Sequence, residues 1–101
     1  MTIAIADDSI DSKPAVARPP IPLGKAERGF VGVIDHLAPE VEGSALSAAE
    51  LERRLLELGF VEGARVEVLH EGIVGRDPIA VRVENVTIAV RRREAMAVIV
   101  A

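Results

Sequence analysis

The spacing of apolar residues changes period along the chain, and each change marks an element. Between Ser47 and Phe60 (SAAELERRLLELGF), Leu51, Leu55 and Leu58 recur at helical spacing, which predicts a helix with one apolar stripe. Both ends of that helix are written into the sequence. Ser47 can serve as N-cap with Glu50 three residues later, the arrangement of a capping box, and Leu46 and Leu51 stand where a hydrophobic staple needs them. Gly59 follows the last periodic residue, where a left-handed backbone costs glycine nothing, and Phe60 can then fold back on Leu55. Past Gly63 the period becomes two. Arg65 to His70 alternates with Val66 and Val68 on one face, and Ile79, Val81 and Val83 alternate with Ala80, Arg82 and Glu84.

The remaining segments complete a strand-rich pattern. Gly29 to Leu37 (GFVGVIDHL) reads as a strand in which Gly32 marks a bulge or a close contact. A polar connection from Ala38 to Leu46 leads to the helix, and the loop EGIVGRDP is broken by Gly72, Gly75 and Pro78. Glu84-Asn85 predicts a tight turn with Asn supplying the positive φ, and Thr87 to Val90 returns as the partner strand. Arg92 to Met96 suits one helical turn, and Val98-Ile99-Val100 a last short strand. Four or five short strands and one helix predict a small, mainly β domain. Closure into a barrel would hide edges this rich in Val and Ile. Ahead of it, residues 1–20 form a Pro-rich segment expected to be an extended, solvated tail, so the folded domain is assigned to 21–101.

Composition narrows the function. A folded part of roughly 80 residues has a thin core. With only two aromatics, Phe30 and Phe60, that core must be built from Val, Ile, Leu and Ala. The absence of cysteine excludes disulfides, thiolate metal sites and cysteine nucleophiles. A net charge of −4 argues against nucleic acid as a partner, because neutralising phosphates needs a basic face. No apolar run approaches the roughly 18 residues of a spanning helix. The start MTIAIADDSIDSK puts Asp7 and Asp8 where a signal peptide is apolar. The expectation is a cytoplasmic protein without direct membrane insertion.

No catalytic constellation emerges, and the chain is not expected to be an enzyme. Ser9, Ser12, Ser44 and Ser47 lie in the tail or in capping sequence, while a triad needs a serine facing a carboxylate-held histidine. Asp35 and His36 are neighbours on a strand, which should point to opposite faces. No cofactor is required. His36, His70 and Glu71, with Glu67 if the strands align, are the anchors for a weak site for Fe2+ or another divalent transition metal. Arg91-Arg92-Arg93 reads as a solvated turn, and Arg53 and Arg54 have helix acids at pairing distance in Glu57 and Glu50. Leu56 lies off the core stripe near Phe60 and Val61. A partner contact and a wide core stripe account for it equally well.

A dense set of residues resembles the FeoA family, the small cytosolic component of bacterial ferrous iron uptake. It comprises Leu23-Gly24, then Arg54-Leu55-Leu56-Glu57-Leu58-Gly59-Phe60 leading to Gly63 and Val66-Glu67-Val68-Leu69. Gly75, Asp77-Pro78-Ile79, Val81-Arg82-Val83, Ile88-Ala89-Val90-Arg91 and Arg93-Glu94-Ala95 continue it. The resemblance implies an SH3-like β-barrel with an inserted helix and a partner of the FeoB type, a membrane permease with a cytosolic GTPase domain. The expected contact is the corner of Leu56, Gly59, Phe60 and Val61, together with Gly75, Arg76 and Asp77. The alternative it implies is a metal-sensing regulatory domain like the SH3-like domain of iron-dependent repressors. The Pro-rich extension, the long Ala38–Leu46 connection and Asn85 in place of a frequent glycine depart from the family pattern.

Overall fold

Residues 19–101 are described by the computed structural model, and within them the period-two segments are strands and the period-3.6 segment is a helix. The expected tail falls on residues 1–18, outside the described residues, apart from its last two positions. In chain order the elements are β1 (Ile21–Pro22), a 3-10 turn (Leu23–Lys25), β2 (Val31–Leu37), α1 (Ala48–Glu57) and β3 (Arg65–Glu71). They continue with β4 (Ile79–Val83), β5 (Val86–Val90), α2 (Arg92–Ala95) and β6 (Val98–Val100). The strands form one antiparallel sheet in the order β1-β6-β2-β3-β4-β5.

β2 is shared between two half-sheets. Its first half pairs with β3 (Val31 opposite Glu67, Val33 opposite Arg65), and its second half pairs with β6 (Ile34 opposite Val100, Leu37 opposite Val98). The switch is marked by an irregular register between Ile34 and His36, which leaves Asp35 as the extra residue of a bulge. Gly32 is not the bulge. It is the close contact, because a Cβ there would stand 2.5 Å from the Ala101 carbonyl oxygen.

The mainly β class holds, but the sheet does not close. β1 and β5 lie at opposite ends of the strand order and do not pair. β1 is only two residues long, and Pro22 has no N–H to give a further ladder.

The core is aliphatic, as the composition requires. Leu23, Ile34, Leu51, Leu55, Val66, Val68, Ile79, Val81, Val98 and Val100 are fully buried together with Phe60, and the half-buried Phe30 packs against this cluster. Among the described residues no polar or charged residue is buried.

α1 carries the predicted ends. The Ser47 side chain accepts from the Glu50 N–H and the Glu50 carboxylate accepts from the Ser47 N–H, both at 3.2 Å. At the other end Gly59 has φ 103°; its N–H donates to the Leu56 carbonyl, and the Phe60 N–H donates to Leu55. These are the two bonds of a Schellman motif. The turn after β4 differs from expectation, since the positive φ is on Glu84 (54°) and not on Asn85. Glu84 is held there by β3: its N–H donates to the Arg65 carbonyl at 2.9 Å and its carboxylate accepts from the Arg65 N–H at 2.8 Å.

Candidate functional site

The residues expected to meet a partner divide into an outward set and an inward one. Leu56 is 44% exposed on the face of α1 turned away from the core, because Leu51 and Leu55 take the inward positions. With Ala49, Glu52, Arg53 and Glu57 it lines an open, largely apolar depression of about 390 Å3. Val61, also 44% exposed, stands just past the helix end, with half-buried Gly59 between them in sequence. Phe60 does not belong to this surface. It is completely buried, because the Schellman turn sends its side chain inward, so its use as a contact is corrected.

Gly75, Arg76 and Asp77 sit on a different loop. That loop is bound to α2 and the 3-10 turn by Arg92, a residue the sequence reading treated as part of a solvated turn. The Arg92 guanidinium donates to the carbonyls of Gly24 (3.1 Å), Ala26 (2.7 Å) and Arg76 (2.8 Å) and to the Glu71 carboxylate (2.7 Å). Its backbone N–H donates to the Asp77 carboxylate at 2.9 Å. Gly24 packs so closely under this turn that a Cβ would collide with the Arg92 carbonyl oxygen. No local signal exposes this role, since the partners lie 15 to 68 residues away along the chain. At the loop tip Ile73 is fully exposed and Val74 nearly so, an apolar pair also missed by periodicity because it belongs to no element. Among the described residues no hydrogen bond or shared depression joins this loop to the Leu56–Val61 corner.

The metal anchors are dispersed. Val33 faces Arg65 and Val31 faces Glu67, so His36 runs off one end of the β2–β3 pairing and His70 off the other. Eight strand positions separate them, on the order of 25 Å. Glu71 is engaged by Arg92, and Glu67 lies 3.7 Å from Arg82. Among the described residues no group of three or more His, Cys, Asp or Glu side chains could hold a metal ion. Asp35 and His36 do meet, against the expectation of opposite faces. The bulge turns them together, and His36 Nδ1 lies 2.6 Å from Asp35 Oδ2. Also among the described residues, no helix is long and apolar enough to cross a membrane.

A family profile described as FeoA domain matches residues 21–101. The chain belongs to the FeoA family. Its fold superposes on a zinc-bound FeoA from Stenotrophomonas maltophilia, described as a prokaryotic SH3 domain protein, with TM-score 0.62 and 32% identity over 78% of this chain and 87% of that one. A FeoA-like protein from Clostridium acetobutylicum gives TM-score 0.69 at 22% identity, covering 84% of this chain and 88% of that one. A manganese-dependent transcriptional repressor shares the fold at TM-score 0.65 and 20% identity, over 84% of this chain and 42% of the repressor. A comparison with curated proteins gives no match. FeoA membership associates the chain with ferrous iron transport and with the SH3-like class. Many of the residues that carry the family pattern build the scaffold: Leu55 and Phe60 are core, Gly59 caps α1, and Asp77 anchors α2.

Proposed function

We propose that this FeoA domain is a non-enzymatic accessory module of a bacterial Fe2+ transport system. It docks in the cytoplasm on a FeoB-type GTPase-permease and modulates uptake. Family membership joined to one surface feature supports the reading: an aliphatic side chain, Leu56, left outside a helix stripe already filled by Leu51 and Leu55. The Stenotrophomonas relative is described as a candidate activating factor of bacterial ferrous iron transport, which agrees with an accessory role. Leu56 and Val61 form the apolar anchor, and the charged neighbours Glu52, Arg53 and Glu57 supply its polar rim. The test is a pull-down of the transporter's cytosolic domain in each nucleotide state. Wild type should be retained and Leu56→Asp lost; absence of a complex with wild type in every state would remove the proposal.

A second reading, metal response, draws on the zinc complex of that relative and on the Asp35–His36 pair. A carboxylate bound to one ring nitrogen orients imidazole as a ligand through the other. One imidazole makes a weak site, so it would act as a modulator. Titrating Zn2+ or Fe2+ into His36→Ala and His70→Ala separately checks it, with loss expected only in the first.

A further inference from the structure

The loop between β3 and β4 carries an apolar pair that the core does not use. Ile73 is 100% exposed and Val74 85%, so neither is buried against another element. The loop beneath them is held at two points. The Gly72 N–H donates to the Pro78 carbonyl at 2.8 Å and closes its base, and the Arg92 guanidinium donates to the Arg76 carbonyl, also at 2.8 Å. A contact made by Ile73 and Val74 would therefore order little additional backbone.

Charge around this tip departs from that of the molecule. Arg92 joins three segments here: the 3-10 turn through the carbonyls of Gly24 and Ala26, the loop through Glu71, Arg76 and Asp77, and its own helix α2. In these segments Lys25, Arg76, Arg91, Arg92 and Arg93 outnumber Glu71, Asp77 and Glu94. Arg92 itself answers two of those acids, Glu71 through its guanidinium and Asp77 through its backbone N–H, while Lys25, Arg76, Arg91 and Arg93 are exposed. The other described residues carry ten acidic and five basic side chains, so the acidic excess lies elsewhere. Part of it stands at the far end of β3, roughly 20 Å away, where Glu84 holds Arg65 and Glu62 is exposed.

We propose that this tip is a peripheral membrane anchor: Ile73 and Val74 enter the headgroup boundary of an anionic phospholipid bilayer, with Lys25, Arg76, Arg91 and Arg93 in reach of its phosphates. The depth is that of two side chains, so this is adsorption and not a spanning segment. A bilayer suits the pair better than a folded partner does. Two side chains on a turn bury far less than the roughly 800 Å2 a side of a specific protein interface, whereas a lipid boundary takes apolar groups without a matching pocket. The basic residues supply the second signal that shallow apolar insertion needs. The anchor adds to the transporter reading without resting on it, since Leu56 lines a different depression, on α1.

Co-sedimentation of the full chain with vesicles of phosphatidylglycerol and phosphatidylcholine in equal parts measures the binding, with phosphatidylcholine alone as the neutral control. Wild type should pellet with the anionic vesicles, less so as salt shortens the Debye length, and stay in solution with the neutral ones. Ile73→Ser/Val74→Ser alters only exposed side chains and should weaken binding on the order of tenfold. Arg91→Gln/Arg93→Gln should weaken it about fivefold per charge removed. Leu56→Asp should bind vesicles as wild type does, so failure of the anchor and failure of transporter docking are read separately. Wild type that ignores anionic vesicles overturns the proposal, and loss of transporter retention by Ile73→Ser/Val74→Ser would then make the tip a protein contact. Vesicle binding undiminished in that variant, or equal on neutral vesicles, overturns it as well.

Discussion

Arg92 satisfies more partners than any other side chain described, and it does so with little solvent around it. Its guanidinium and Glu71 are both mostly shielded, at 18% and 23% side-chain exposure. Truncation would strand three carbonyl oxygens and one carboxylate that now accept from it. Leaving such groups unpaired, one of them charged, costs about 2–4 kcal/mol in total after allowing for water entry. Arg92→Ala should therefore lower the urea midpoint by that equivalent, and Arg92→Lys should recover only part, because an ammonium cannot span the fork geometry. A variant as stable as wild type would refute the role of clasp. Arg76 supplies a converse case at the same scale. Its φ of 58° is a left-handed conformation that burdens a residue with a Cβ, so Arg76→Gly should be neutral or stabilise by up to about 1 kcal/mol in the same assay.

At the scale of elements, α1 holds its place by ends as much as by its stripe. Ser47→Ala removes the cap bond to Glu50 and should cost about 1 kcal/mol. Gly59→Ala forces a Cβ into φ 103° and should cost about the same, with denaturant slopes unchanged in both. These ends were readable because cap chemistry involves residues three to five apart. The alternating valines of β3 and β4 were readable for the same reason, since burial follows the pleat. The Asp35 bulge and the φ of Glu84 were not. Each depends on a strand far away in the chain: β6 imposes the register shift on β2, and Arg65 holds Glu84 through two bonds that override the local preference for Asn85. Closure was overestimated because the rule about hidden edges ignored how little of β1 exists to pair.

For the whole molecule, scaffold and surface separate. The family pattern sits largely on buried residues and turn glycines, so it identified the fold while saying little about contacts. Of the candidate corner the exposure of Leu56 was legible from its off-stripe position, and Val61 is exposed beside it, whereas Phe60 goes to the core and the Gly75–Asp77 loop is tied down by Arg92. Because Leu56 is exposed on the outer face of α1, Leu56→Asp should leave the unfolding free energy within about 0.5 kcal/mol of wild type while abolishing transporter retention. A large loss of stability would instead return Leu56 to the core.

Among the described residues the interior holds no side chain that requires a hydrogen-bonding counterpart, so it imposes few pairwise conditions on its occupants. Valine, leucine and isoleucine can be exchanged there in combinations that conserve total volume, with no hydrogen-bond partner to be changed alongside. Lineages can then wander through aliphatic sequence space while the backbone path endures, which is how a chain sharing 22% of its residues still overlays at a TM-score of 0.69.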